Sequence, residues 1–210
     1  MVVFDSFGLD DSFNSSHSAV AAWNISEPFS SGNTGVGLAA RFSVQGASCS
    51  LDAVTLALGY MQDTSQMMLS ILRDDNGRPT GDLLETITLN LSAISNLVQI
   101  ATITSSLHPV LATGEAFWLV LEPPAQNLAS GDNNSAYYWY DGEMIGAYTF
   151  RNFDFESSHW ENWMVLPPVN LPAFRIEGTP VPEPASIWLL LVGLVTCAYQ
   201  RRWIRVGMTN

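Results

Sequence analysis

Lysine is absent from the chain, and all eight basic residues are arginine. They stand against 20 Asp and Glu, leaving a net charge of −12. Nucleic acid is excluded as a partner, because phosphate binding needs a basic surface to displace counterions. Cysteine is nearly absent too, with only Cys49 and Cys197. A chain of 210 residues can bury a core without disulfides or metals, so a small stapled scaffold is excluded. No GxSxG stretch occurs, and His17, His108 and His159 are scattered, so no nucleophile is marked by spacing. No internal repeat of fixed period stands out.

What is present is alternation with a period of two. Val54, Leu56, Leu58 and Tyr60 fall on one face of SLDAVTLALGY, with Thr55 and Ala57 on the other. Met67, Leu69 and Ile71 share a face, as do Phe117, Leu119 and Leu121, and Phe174 and Ile176. These segments read as half-buried antiparallel strands. Between the strand that ends near Arg73 and LLETITL, Asp74 to Gly81 is dense in turn residues, which predicts a hairpin with a longer loop. The stretch LSAISNLVQIA is the one segment with helical character. Many short strands and no strong helix predict an all-β fold, a jelly-roll-like β-sandwich of antiparallel strands over residues 1–178.

The charge divides unevenly along the chain. Before Pro180 stand 19 acidic residues against five Arg; beyond it stand Glu183 and three Arg. The latter follow an uncharged run from Ala185 to Tyr199. As a helix that run is about 22 Å long at roughly 1.5 Å per residue, short of a bilayer core of about 30 Å; snorkelling arginines and local thinning make up the difference. The expected division is a Pro-rich linker at 179–184, a short transmembrane helix at 185–200 and a basic cytoplasmic tail at 201–210. Arg201, Arg202 and Arg205 set the orientation, with the body outside. A buried core helix is the bland alternative, but the run lacks a polar face. A lipid-anchor signal is another, although such signals end in the apolar segment, whereas RRWIR follows here.

Val181-Pro182-Glu183-Pro184, the short apolar segment and then Arg201-Arg202 together resemble the PEP-CTERM sorting signal of exopolysaccharide-producing Gram-negative bacteria. The resemblance implies recognition by an exosortase, a membrane-embedded cysteine transpeptidase-like enzyme, with cleavage near the Pro-Glu-Pro block. It also implies an exported protein, held at the inner membrane and then sent to the cell surface or matrix. Such proteins begin with an apolar leader; since MVVFDSFG reads directly into a strand, the expectation is that the recorded start falls at or after a signal-cleavage region. The body, through VFDSFG, LDAVTLALGY, LRDDNGRPTGDLLETITL, AYYWYDG and PAFRIEG, is similar to the choice-of-anchor R family of exported bacterial domains. That resemblance implies no activity, so no catalytic residues carry over.

No catalytic residue, cofactor or metal ligand is expected. Asp74-Asp75-Asn76-Gly77 is rich in oxygen ligands but lacks EF-hand spacing; a solvated hairpin tip is the plainer reading. The functional lead is aromatic. Tyr137-Tyr138-Trp139-Tyr140 places rings on both faces of any strand it forms, Trp160 and Trp163 lie in the loop-like SSHWENWM, and exposed rings beside polar groups suit sugar rings. Alternatively the same rings close the ends of the sandwich. The expected partners are therefore an exosortase, membrane lipid and exopolysaccharide. The rival reading is a secreted β-sandwich polysaccharide hydrolase, which two facing acidic side chains in a groove beside Trp139 would favour. A self-assembling matrix component is the third.

Overall fold

The structure is a computed structural model describing residues 1–14, 16–25, 32–62, 66–90, 99–124, 135–154 and 159–182. Among them there is no α-helix; a single 3-10 turn, Leu9–Asp11, follows the first strand. The chain is all-β, with two antiparallel sheets in a sandwich-like arrangement.

The first sheet is built on the longest strand, β4 (Cys49–Gln62). One edge of β4 pairs with β7 (Gln99–Thr104) and β8 (Val110–Leu111). Its other edge pairs with β15 (Phe174–Pro180) and then β10 (Ser135–Gly146), and β15 is flanked by β1 (Val2–Asp5). The second sheet runs β11 (Tyr148–Asp154), β3 (Gly32–Ser43), β9 (Ala116–Glu122), β5 (Gln66–Arg73), β6 (Leu83–Asn90). From β10 the pairing continues through β2 (His17–Ile25) to β3, which joins the sheets along one side. Short strands β12 (His159–Trp160) and β13 (Met164–Val165) pair with β11, and β14 (Val169–Pro172) with β10.

The alternation read in the sequence explains the core. Val54, Leu56, Leu58, Phe174 and Ile176 of the first sheet share one buried cluster with Leu69, Ile71, Phe117, Leu119 and Leu121 of the second. Burying each such side chain contributes about 2 kcal/mol. Two expectations need correction. β4 is buried on both faces, not one: Thr55 bonds Thr102 across the sheet, and Ala57 lies under Phe7 and Ala173 because the N-terminal segment folds over it. Of LSAISNLVQIA, residues 99–101 are strand, in keeping with the β-branched Ile and Thr of β7; residues 91–98 lie outside the described set. The expected hairpin over Asp74–Gly81 joins β5 to β6, with Asn76 and Gly77 both at positive φ between bridged Asp75 and Arg78, a conformation that suits Asn-Gly.

Register sorts the strand ends into two poles. At one, β3 ends at Ser43, β4 begins at Cys49, β5 ends at Arg73, β9 begins at Ala116 and β15 ends at Pro180. At the other lie Gln62, Gln66, Asn90, Gln99 and Glu122. The chain leaves the sheet at the first pole, where Val181 N donates to Ser48 O at 2.8 Å.

Candidate functional site

The aromatic residues do not converge. Trp139 lies between Leu58 of β4 and Ser18 of β2 in the middle of paired strands. Its indole is wholly buried (0% exposed), donates Nε1–H to Ala173 O at 3.2 Å and packs 6.0 Å from Phe174. So buried a ring cannot form a sugar platform. Trp163 belongs to a different cluster, on the outer face of the second sheet with Ala39, Trp118 and Val120. It is 9% exposed, and the Arg151 guanidinium covers its ring at 4.5 Å. Tyr140 is half-buried against Phe13. Tyr138 and Trp160 take their places in β10 and β12, with side chains outside the described set. Trp139 and Trp163 are therefore packing residues, the first in the core and the second on the outer face of the second sheet.

The outer face of the second sheet carries the polar chemistry that alternation did not reveal. Arg151 on β11 pairs with Glu122 on β9, through Nε at 3.1 Å and Nη2 at 2.5 Å. Burial pushes the Glu122 carboxyl up despite the opposing attraction of Arg151. Towards the chain-exit pole, Asp74 accepts from Arg41 at 3.0 and 3.1 Å, from Trp118 Nε1 at 2.7 Å and from Gly77 N at 3.1 Å. Burial works against that carboxylate, yet these donors together hold its pKa below the ordinary value. With both oxygens engaged, Asp74 serves as the bracket of the hairpin rather than as an ion ligand.

Glu122 and Trp118, whose indole holds Asp74, lie four residues apart along β9, about 13 Å of strand. Paired glycosidase carboxylates stand at roughly 5–9.5 Å, so these acids do not form such a pair. Cys49 is buried in the core, and burial raises its thiol pKa, aided by Asp52; a reactive cysteine needs the opposite. Among the described residues no group of three or more His, Cys, Asp or Glu could hold a metal ion.

Glu85 of β6 is 2% exposed and, among the described residues, makes no ion pair. It accepts from Ser105 Oγ at 2.6 Å, Ser106 N at 2.7 Å, Ser106 Oγ at 3.0 Å and Leu107 N at 3.1 Å. Burial opposes its charge, but the four donors depress its pKa. This carboxylate stitches the second sheet to the loop that follows β7 of the first. The useful sequence signal for such groups was scarcity: four of the five body arginines, Arg41, Arg73, Arg151 and Arg175, make ion pairs.

Of the sorting residues, Val181 and Pro182 close the described chain. Glu183, Pro184, Arg201, Arg202, Arg205 and the expected transmembrane helix lie outside the described residues. Within those described, no helix is long and apolar enough to cross a membrane. Compared with protein-family models, curated proteins and solved structures, the chain matches none.

Proposed function

We propose that this is an exported, non-enzymatic surface or matrix protein of an exopolysaccharide-producing bacterium. In this reading a jelly-roll-type body is held at the inner membrane by residues 185–200, then released or transferred by an exosortase acting near Pro182-Glu183-Pro184. The observation that carries it is the order of three unlike segments: a proline-bracketed glutamate, an uncharged apolar run and an arginine cluster. Prolines keep the block extended and out of any helix, lipid takes the apolar run, and the arginines stay on the cytoplasmic side. The acidic, lysine-free body suits a solvated surface that repels its own kind. The exopolysaccharide contact loses Trp139 and Trp163 as contributors, so the reading rests on the tail.

The test is fractionation of the producing host carrying the native chain or the Glu183→Ala variant. The native chain is expected outside the inner membrane in shortened form, and the variant in the membrane at full length. Identical processing of both would remove the sorting block from the account.

A further inference from the structure

We propose that the pole from which the chain leaves the sandwich is a lipid-facing surface that rests on the membrane headgroups while the tail is embedded. This deepens the proposed function and rests on its reading of residues 185–200 as a lipid-embedded segment.

The first observation is the tether. β15 pairs with β4 as far as Pro180 opposite Cys49. Thr179 Oγ1 donates to Asp52 at 2.8 Å, the Met1 ammonium to Gly178 O at 2.7 Å, and Val181 N to Ser48 O at 2.8 Å. The body thus grips the chain through Val181. From there to Ala185 a fully extended backbone spans at most about 14 Å. A headgroup layer takes up about 5–8 Å of that, and the remainder is less than the roughly 10 Å that separates two packed sheets. An apolar run shorter than the bilayer core draws the body closer still.

The second observation is what this pole presents. Leu107 is 68% exposed, Met1 50% and Val110 49%. Val110, Ser50 and Thr179 stand in one row across β8, β4 and β15, and Met1 is bonded to the neighbouring Gly178. Leu107 is not a side chain left on a loose loop. Buried Glu85 fixes its backbone and that of Ser106, Ser105 Oγ accepts from His108 N at 2.9 Å, and His108 sits at φ 49°. A buried carboxylate and a left-handed histidine are both costly, and here both hold an exposed leucine beside the exit of the chain. Asp52, Asp75, Asp82, Glu115 and Glu177 all stand at or beside the pole, so contact with anionic lipid comes from the tether and not from charge attraction.

The full chain carrying Cys197→Ser and either Leu107→Cys or Gln66→Cys, each labelled with an environment-sensitive fluorophore, is reconstituted into phosphatidylcholine vesicles containing a headgroup nitroxide. Cys49 is buried and takes no label. Gln66 is exposed at the opposite pole. The expected result is loss of most Leu107-site emission to the nitroxide with the Gln66 site unaffected; Val110→Cys repeats the measurement should the loop not tolerate substitution. If the chain floats with vesicles yet both poles are equally unquenched, the surface proposal falls while the tail reading stands. If the Leu107 label reports an apolar environment that the nitroxide does not quench, the pole is covered by protein, and the proposal falls likewise. If the chain does not float, both fall.

Discussion

Three carboxylates differ in what their surroundings do to the charge, and the difference predicts an acid response. Glu85 and Asp74 are held below their ordinary pKa by hydrogen-bond donors that outweigh burial, whereas burial raises Glu122 beyond what Arg151 offsets. For Glu85 and Asp74 the native state binds protons less readily than the unfolded chain. Their stabilisation is therefore present above the ordinary carboxylate range, about pH 4, and is lost as pH falls through the depressed values. Glu122 has the opposite sign: its contribution is present below its ordinary value and is lost as pH rises through the raised one. Glu85→Gln is expected to cost about 2–3 kcal/mol at neutral pH, since donors lose a charged acceptor, and to shallow the loss of stability in acid. Joint replacement of Glu122 by Leu and Arg151 by Met is expected to change stability by no more than about 1 kcal/mol or to raise it, because a buried pair rarely exceeds a packed apolar one. Urea unfolding from pH 3 to 7 checks both; a Glu85→Gln protein as stable as the parent would contradict the stitching role.

At the scale of elements, the strands named from alternation and the Asp74–Gly81 hairpin were legible, and the corner in β10 was not. β4, β5, β9 and β15 follow from alternation and β6 from the turn ahead of it, because pattern and turn residues are local. The course of β10 is not local. After pairing with β4 and β2, it passes so close to the N-terminal segment that a Cβ on Gly142 would stand 2.0 Å from Ser6 O, where Glu143 N already donates at 2.9 Å. A glycine 136 residues from its partner carries no sequence sign of that approach. Gly142→Ala is expected to destabilise by roughly 3 kcal/mol, as overpacking does, and to loosen β1 and β14 first, read as faster amide exchange at Ser6 and Ala173. Unchanged exchange there would show that the corner tolerates a side chain.

The same locality explains the aromatic run. Alternation put rings on both faces of β10 but could not say which face met a second sheet; the place of Trp139 in the core cluster, packed against Phe174, settles it for that ring. Trp118 was readable in principle: it falls on the face opposite Phe117 and Leu119, an apolar ring where a half-buried strand should carry a polar residue. The ion pairs on that face were not readable, because their partners lie 29 and 33 residues apart on strands whose register only the fold supplies.

At the scale of the whole molecule, the two ends of the sandwich differ. Both sheets end together at the pole where the chain exits, with the β15 terminus bonded to β4, to Ser48 and to Met1. Pulling on the tail therefore loads the central strand of the first sheet instead of a free linker. Charge also divides along the sequence, with 19 acidic residues ahead of Pro180 and the arginine cluster behind the apolar run.

The central claim, that the tail is an address removed after delivery, is tested most directly by the intact mass of the mature protein from its native host. The account predicts a C-terminus at or close to the Pro182-Glu183-Pro184 block, with β15 complete through Pro180. A mass that retains every residue to Asn210 on protein recovered outside the membrane would contradict it.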